Sequence, residues 1–336
     1  VFQLTLSATG RHKQWDERCN YCLADREKMK PDISVIIPAY NPRPDYMARV
    51  LGALQTQTLD PSRWELILVD NASEKPLRDL HDLSWHPNAA HVREDELGLT
   101  AARIAGFARM HGKIAVLVDD DNVLAPDFLE QALAIADDFP FIGAWSGRVD
   151  PEFEPESKAI SADLHSLLTL RKVTADSWSN DPAHNESTPW GAGLCVCREV
   201  ADAYRDEVMN NPTRGLLDLK GDRLVYGGDT DIAFTGCRMG LGKAVFARLR
   251  VIHLIPAHRC TTSYLSRVAE GRGYSEVIHH LAINGVLPPP QRFGVANIVR
   301  YIRLATKPAL QRTIATAHLR GRRLALRQLG APDKDR

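Results

Sequence analysis

The stretch Ile114-Ala115-Val116-Leu117-Val118-Asp119-Asp120-Asp121 decides how this chain reads. Its first five residues have the composition of a strand buried on both faces. Three carboxylates follow at once, where such a strand would leave its sheet. Adjacent carboxylates repel, and exposure at a strand end relieves that only in part, so a divalent cation is the simplest partner that makes the run favourable. A solvated acidic loop is the structural alternative. If the backbone stays extended, alternation puts Asp119 and Asp121 on one side and turns Asp120 away. Hard oxygen ligands in that pattern suit Mg²⁺ or Mn²⁺, each of which keeps open positions that a diphosphate fills.

Working outward, residues 33–37 form a β-branched run ending at Pro38, and residues 64–69 form another ending at Asp70. Residues 45–57 between them have helical apolar spacing. The alternation continues with a weak strand at 90–92, a helix over 100–110, the strand 114–118 and a helix over 126–138 with Pro126 in its first turn. This rhythm predicts an α/β domain with a mostly parallel sheet covered on both faces. Ligands of such sheets bind beyond the carboxyl ends of the strands. Asn41, Asp70 and Asp119 to Asp121 all follow strand ends and therefore converge on one edge. After a strand at 142–149 the rhythm weakens. Residues 150–189 read as loops and a helix over the site, its apolar stretch being 164–170. Residues 193–197, 243–247 and 251–254 then read as strands and 230–239 as a helix.

The 336 residues suffice for one large domain with an appendage. With 44% hydrophobic and 25% charged residues and a formal net charge of +0, the chain presents no global field for nucleic acid. No apolar stretch is long enough to span a bilayer, and residues 1–10 lack the layout of a secretory signal, so the expectation is a cytoplasmic protein. Cys195, Cys197, Cys237 and Cys260 sit in or beside apolar segments, as core thiols do. Cys19 and Cys22 form a lone CxxC with only His12 nearby, an incomplete zinc set that reads as two ordinary thiols.

In order and spacing, Ser34 to Asn41 (SVIIPAYN), Leu68 to Ser73 (LVDNAS), Gly98 to Arg103 (GLTAAR) and Asp119 to Pro126 (DDDNVLAP) resemble the successive motifs of family 2 glycosyltransferases. Trp190 to Gly193, Gly228 to Asp231 and His253 to Pro256 extend the resemblance over about residues 33–270. It implies a GT-A fold, a Rossmann-like and mostly parallel sheet flanked by helices. The implied reaction is metal-dependent, inverting transfer of a sugar from a nucleoside diphosphate sugar, UDP by family frequency, to a sugar or glycolipid hydroxyl in polysaccharide or glycoconjugate synthesis. Residue by residue, it implies that Pro38, Tyr40 and Asn41 shape the nucleotide pocket and that Asp70 accepts a hydrogen bond from the base. Arg103 faces the donor phosphates or the aspartates. Asp121 binds Mn²⁺ or Mg²⁺, with His253 completing the shell and His258 its nearby competitor. Asp119 reaches the ribose or the metal, and Asp120 stays structural within the donor cluster. Asp229 is the base that deprotonates the acceptor, with Asp231 as fallback. Members commonly show Glu-Asp there, and this chain has Gly228-Asp229. Trp190, Gly191 and Gly193 lie under the transferred sugar. Arg259, with Tyr264 and Arg267 behind it, sits on the segment that closes over the donor phosphates.

The expected organisation is an arm at 1–31, a catalytic domain at 32–287 divided at 149/150 into nucleotide and acceptor halves, and a basic helical extension at 288–336. From Arg292 to Arg327 the extension carries no Asp or Glu. Ile298, Tyr301, Ile302 and Ala305 fall at helical spacing with Arg300 and Arg303 between them. That pattern suits a helix lying on the inner membrane face, and equally helices packed on the catalytic domain or between protomers. Two rival functions remain at this stage. A sugar nucleotidyltransferase would want a glycine-rich phosphate loop after the first strand, and Pro38-Ala39-Tyr40-Asn41-Pro42 supplies none. A non-catalytic nucleotide- or carbohydrate-binding protein of the same fold has Gly228 in its favour and the set Asp119, Asp121, Asp229 and His253 against it.

Overall fold

Strand β1 (Ile33–Ala39) is buried at all seven positions, and its side chains divide by parity. Ile33, Val35 and Ile37 join one apolar cluster and Ile36 the other, on the opposite face of the sheet. In the neighbouring strands β2 (Trp64–Asn71) and β4 (Ile114–Leu117), Leu66, Leu68 and Val116 join the first cluster, while Ile67, Val69, Ala115 and Leu117 join the second. Period-2 backbone with no polar face requires a helix layer on each side. On the first face Met47, Val50, Leu51 and Leu54 of α1 (Pro44–Gln55) and Phe128, Leu129 and Ala132 of α3 (Phe128–Asp138) supply it. On the second, Ala102 and Phe107 of α2 (Leu99–Arg109), Tyr204 of α4 (Arg198–Asn210) and Ile232 of α5 (Gly228–Arg238) do so. Each fully buried Leu, Ile or Phe contributes about 1.5–3 kcal/mol. The structure is a computed structural model that describes residues 30–211, 213–217, 224–289 and 306–330.

The sheet runs β3-β2-β1-β4-β8-β6-β9-β5, β5 being Asn122–Leu124, with β7 (Ser177–Ser179) pairing β9. Strands β3 (Ala89–Glu94), β2, β1 and β4 are mutually parallel, which makes the first half of the sheet Rossmann-like. Antiparallel β8 (Leu194–Cys197) then links β4 to β6 (Ile142–Phe153), and β6 runs parallel to β9 (Gly242–Ile255). The two short strands expected at 243–247 and 251–254 are thus one strand with a bulge. Its register jumps from Gly147↔Phe246 to Arg148↔Arg250. A Cβ at Gly147 would strike Leu249, so glycine is what admits the bulge. Pro126 lies two residues ahead of α3 rather than inside it, because Ala125 accepts the amide of Phe128 in a preceding turn, 3.0 Å. The apolar run expected as a helix near 164–170 is a 3₁₀ segment, Ala162–Leu168.

The described part of the basic tail forms α7 (Ala309–Gly330), which lies along α6 (Thr262–Asn284). A Cβ at Gly273 would collide with the α7 backbone, and one at Gly321 with the α6 backbone, so this glycine pair sets the close approach. Tyr274 Oη donates to Gln328 Oε1 at 2.9 Å, His318 pairs with Glu276 at 2.9 Å, and Arg320 pairs with Glu270. This helix therefore packs on another helix of the chain. Arg292, Ile298, Arg300, Tyr301, Ile302, Arg303 and Ala305 lie outside the described residues, as do His12, Cys19, Cys22 and nearly all of the expected arm. Among the described residues no helix is long and apolar enough to cross a membrane. Cys195 and Cys260 are buried free thiols, and Cys197 and Cys237 are partly so.

His86 gives the fold a pH dependence. It is 4% exposed, stacks against Trp64 with centroids 3.9 Å apart, and burial pushes its pKa down to about 4. The unfolded chain, with an ordinary imidazole, takes up this proton first as pH falls, so stability is present above about pH 6.5 and is lost toward pH 4. Denaturant titrations at pH 7.5 and pH 5 should show a loss of about 2 kcal/mol from this group. The loss should be absent in His86→Phe. Equal pH dependence in the two proteins would contradict the assignment.

Candidate active site

The carboxyl ends of β1, β2 and β4 open on a cavity of about 1180 Å³. Its lining includes Pro38, Tyr40, Asn71, Arg103, Asp119, Asp120, Asp121, Trp190, Gly191, Asp229, His253 and Arg259. Ligand pockets usually measure roughly 300–1,000 Å³, so this one has room for two partners. Asn41, Asp70, Gly193, Gly228 and Asp231 are not in its lining.

All three aspartates face the cavity, which corrects the expectation that Asp120 turns away. Alternation fails because the chain stops being extended after Val118. Asp120 and Asp121 form a turn closed by Asn122 N donating to Asp119 O at 3.0 Å, and the short strand β5 (Asn122–Leu124) leads away. Strand β5 pairs antiparallel with β9, setting Asn122 opposite His253. That register brings His253 Nε2 within 3.3 Å of Asp121 Oδ2.

The ring of His253 is oriented from behind. Its Nδ1 lies 3.0 Å from Leu168 O, and because a carbonyl only accepts, the proton belongs on Nδ1. Nε2 then presents a lone pair toward a carboxylate, an arrangement that calls for positive charge between them. Arg259 Nη1 supplies it here, 2.8 Å from Asp121 Oδ2 and 3.3 Å from His253 Nε2. His258 is exposed and packs edge-on against Tyr264, away from this cluster. Burial would raise the pKa of Asp121, but the charge of the Arg259 guanidinium and its hydrogen bond outweigh it and hold the carboxylate well below its usual range. Asp119 is pushed up to about 6 by burial and by the charge of Asp121, with Arg103 opposing. Burial and both neighbouring carboxylates push Asp120 up to about 8.

A carboxylate oxygen and an imidazole nitrogen backed by a carbonyl form a donor pair that fits Mn²⁺ or Mg²⁺, with Asp119 beside it as a further oxygen. Among the described residues no group of three His, Cys, Asp or Glu side chains is drawn together into a cation set. Remaining ligands would therefore have to come from a bound diphosphate and water.

Asp229, in the first turn of α5, accepts from Gly191 N through Oδ2 and from Thr230 N through Oδ1, both at 2.8 Å. These amides fix a carboxylate that lines the cavity. Trp190 is placed by its own amide, which donates to Ser146 Oγ at 3.1 Å, and by the Arg171 guanidinium 5.0 Å from its ring centroid. Arg103 is buried at 3% exposure and lines the same wall.

Several expected site residues build the walls instead. Asp70 accepts from Ser73 N and Leu77 N at 3.0 Å each and from Arg93 Nη1 at 2.9 Å, and these bonds shape the loop after β2. Burial would raise its pKa, but those bonds keep it lowered. Asn41 has φ 45° and ties two loops together, donating from its amide to Ser73 Oγ and accepting from Glu74 N, each at 3.0 Å. Gly193 has φ 66° and packs so tightly on Val251 and Phe128 that a Cβ would collide. Gly228 is buried at the start of α5. Asp231, the fallback base, is 0% exposed and held by Arg214 through two 2.8 Å bonds, so it cannot meet an acceptor. Arg214 and Arg171 were not foreseen, since each acts on residues distant in sequence. Arg272, Tyr226 and the α7 residues in the lining were missed as well.

Carboxylates and arginines are thus gathered at the carboxyl edge of the parallel half of the sheet, where α/β domains bind their ligands. Residues 34–188 match the family model Glycosyl transferase family 2, so this segment is a family 2 glycosyltransferase domain. Glycosyltransferase AglE of Haloferax volcanii is 27% identical over 107 residues, covering 31% of this chain and 35% of that protein. An N-acetylglucosaminyltransferase of Mesorhizobium japonicum is 25% identical over 185 residues, 54% of this chain and 41% of that protein. The chain thus spans well under half the length of these curated relatives. The mannosyltransferase PcManGT from Pyrobaculum calidifontis, solved in complex with GDP-Man and Mn²⁺, superposes with a TM-score of 0.51 at 18% identity over 95% of this chain and 85% of that one. The shared fold is GT-A.

Proposed function

We propose that the chain transfers a sugar from a nucleoside diphosphate sugar to an acceptor hydroxyl with inversion, and that Asp229 is the base. One observation carries this reading: Asp229 is held facing the cavity by Gly191 N–H, in the same cavity as the Asp121, His253 and Arg259 cluster. Residues 32–149 receive the nucleotide between Tyr40, Asn71 and the aspartates, and residues 150–287 receive the acceptor. Asp121 and His253 hold Mn²⁺ or Mg²⁺, which when bound supplies charge neutralisation for the departing diphosphate. Arg103 and Arg259 add fixed positive charge on the donor side, and the Trp190 face supports the sugar. Asp229 takes the acceptor proton as the hydroxyl oxygen attacks the anomeric carbon from the side opposite the diphosphate. Attack from that side on an α-linked donor gives a β-linkage.

The structural neighbour carries GDP-Man and Mn²⁺, so GDP stands beside UDP as a candidate nucleotide. Calorimetric titration with UDP and with GDP in Mn²⁺ should give saturable binding of one of them, weakened at least tenfold in Asp121→Ala. If neither nucleotide binds, the reading is wrong.

A further inference from the structure

Arg272 of α6 lines the cavity on the side of Asp229, donating through Nη2 to Ser166 O, with its Cζ 5.9 Å from the ring centroid of Tyr226. Among the described residues no carboxylate lies within ion-pair distance of it. The other acidic groups of this arm are already engaged: Glu276 with His318 at 2.9 Å, and Asp163 with Gln311 Nε2 at 2.7 Å. Flanking Gly271 and Gly273 are pressed against the Leu224 carbonyl and the α7 backbone, so the helix cannot easily turn the guanidinium away. Burial lowers the pKa of Arg272, while Tyr226 and Asp229 pull weakly the other way. Arg272 is half-buried at the cavity wall, and a guanidinium there without a counter-charge favours an anionic ligand that accepts its free N–H groups.

From this unmatched guanidinium we infer an anion subsite on the acceptor side of the cavity, taking a carboxylate or phosphate group of the acceptor. Arg272 donates its remaining N–H groups to two oxygens of that group, and Ser166 O holds the fork in place. The acceptor is then an acidic sugar or a phosphorylated polyol or lipid, its anionic group in the same arm as the hydroxyl that meets Asp229. This inference rests on Asp229 marking the acceptor side.

NMR-detected titration of the full chain, saturated with whichever of UDP or GDP binds, tests it with methyl glucoside, methyl glucuronide and glycerol 3-phosphate. At least one anionic probe should bind tenfold or more tightly than the neutral glycoside. A stronger glucuronide points to a uronic acid acceptor, and a stronger glycerol phosphate to a phosphorylated one. Arg272→Gln should bring the anionic probes down to the neutral level, while Arg272→Lys keeps part of the preference. Equal binding of charged and neutral probes to the unaltered chain overturns the subsite, and this arm needs no variant to fold. Lower thermal stability of Arg272→Gln with unchanged probe affinities would make Arg272 a structural staple only. Should neither nucleotide bind, the donor reading fails on its own, and the probe preference is then read on the unliganded chain.

Discussion

Asp229→Asn is expected to lower the rate of sugar transfer by about 10²–10⁴-fold, the usual contribution of a positioned general base. Its nucleotide affinity should change little. Asparagine keeps one oxygen to accept from Gly191 N, so the loop ahead of β8 stays in place. Its amide cannot take a proton, and it presents a donor toward one of the two amides that now donate to Asp229. The fall should therefore appear in kcat, with KM for the donor nearly constant. A carboxylate serving only the first turn of α5 would behave otherwise, with substitution lowering thermal stability and leaving the rate per folded molecule intact. Initial rates and thermal unfolding of the same preparation separate the two.

The second large effect is on stability and concerns the residue two positions on. Asp231→Ala should destabilise the chain by about 3–5 kcal/mol, because it leaves the buried Arg214 guanidinium without its two-pronged partner. Arg214 also donates to Thr235 Oγ1 at 3.0 Å and pairs with Glu207, which Arg238 shares at 2.6 Å. The pair thus ties the 3₁₀ segment Arg214–Leu216 to α4 and α5. Replacing both partners, as in Arg214→Met with Asp231→Leu, should recover most of the loss, since no charge is then left buried. Denaturant titrations of the two single variants and the double variant check this. A double variant no more stable than Asp231→Ala would contradict it.

Strands β1, β2 and β4 were legible because each is buried on both faces and is followed closely by a polar residue, whereas half-buried β3 read only as a weak strand. The carboxylate run was legible as a cluster but not as a geometry. Its alternation assumed extended backbone, and with the turn at Asp120 all three residues line the cavity. Asp70, Asn41 and Gly193 show a second limit. A residue type at a strand end suits ligand contact and loop construction equally, and here hydrogen bonds within the chain engage both Asp70 oxygens and Asn41 Oδ1. Asp229 and Asp231 open the same helix with the same side chain, and only the partner from 17 residues back, Arg214, divides their roles. Helix α6 went unread because Gly271 and Gly273 interrupt its middle and it is covered by α7 on one side and the domain on the other. The signal that could have found the α6–α7 pair was electrostatic: Glu270 and Glu276 in α6 answer the acid-free α7 helix at Arg320 and His318.

The central claim is that a nucleoside diphosphate sugar is consumed in this cavity through Asp229. Release of nucleoside diphosphate from a panel of UDP- and GDP-linked sugars, with Mn²⁺ and a mixture of acidic and neutral acceptors, tests it most directly. Release from at least one donor, dependent on acceptor and lost in Asp229→Asn, is the predicted result. Release that is undiminished in Asp229→Asn, or no release from any donor by a protein that binds the nucleotide, would contradict it.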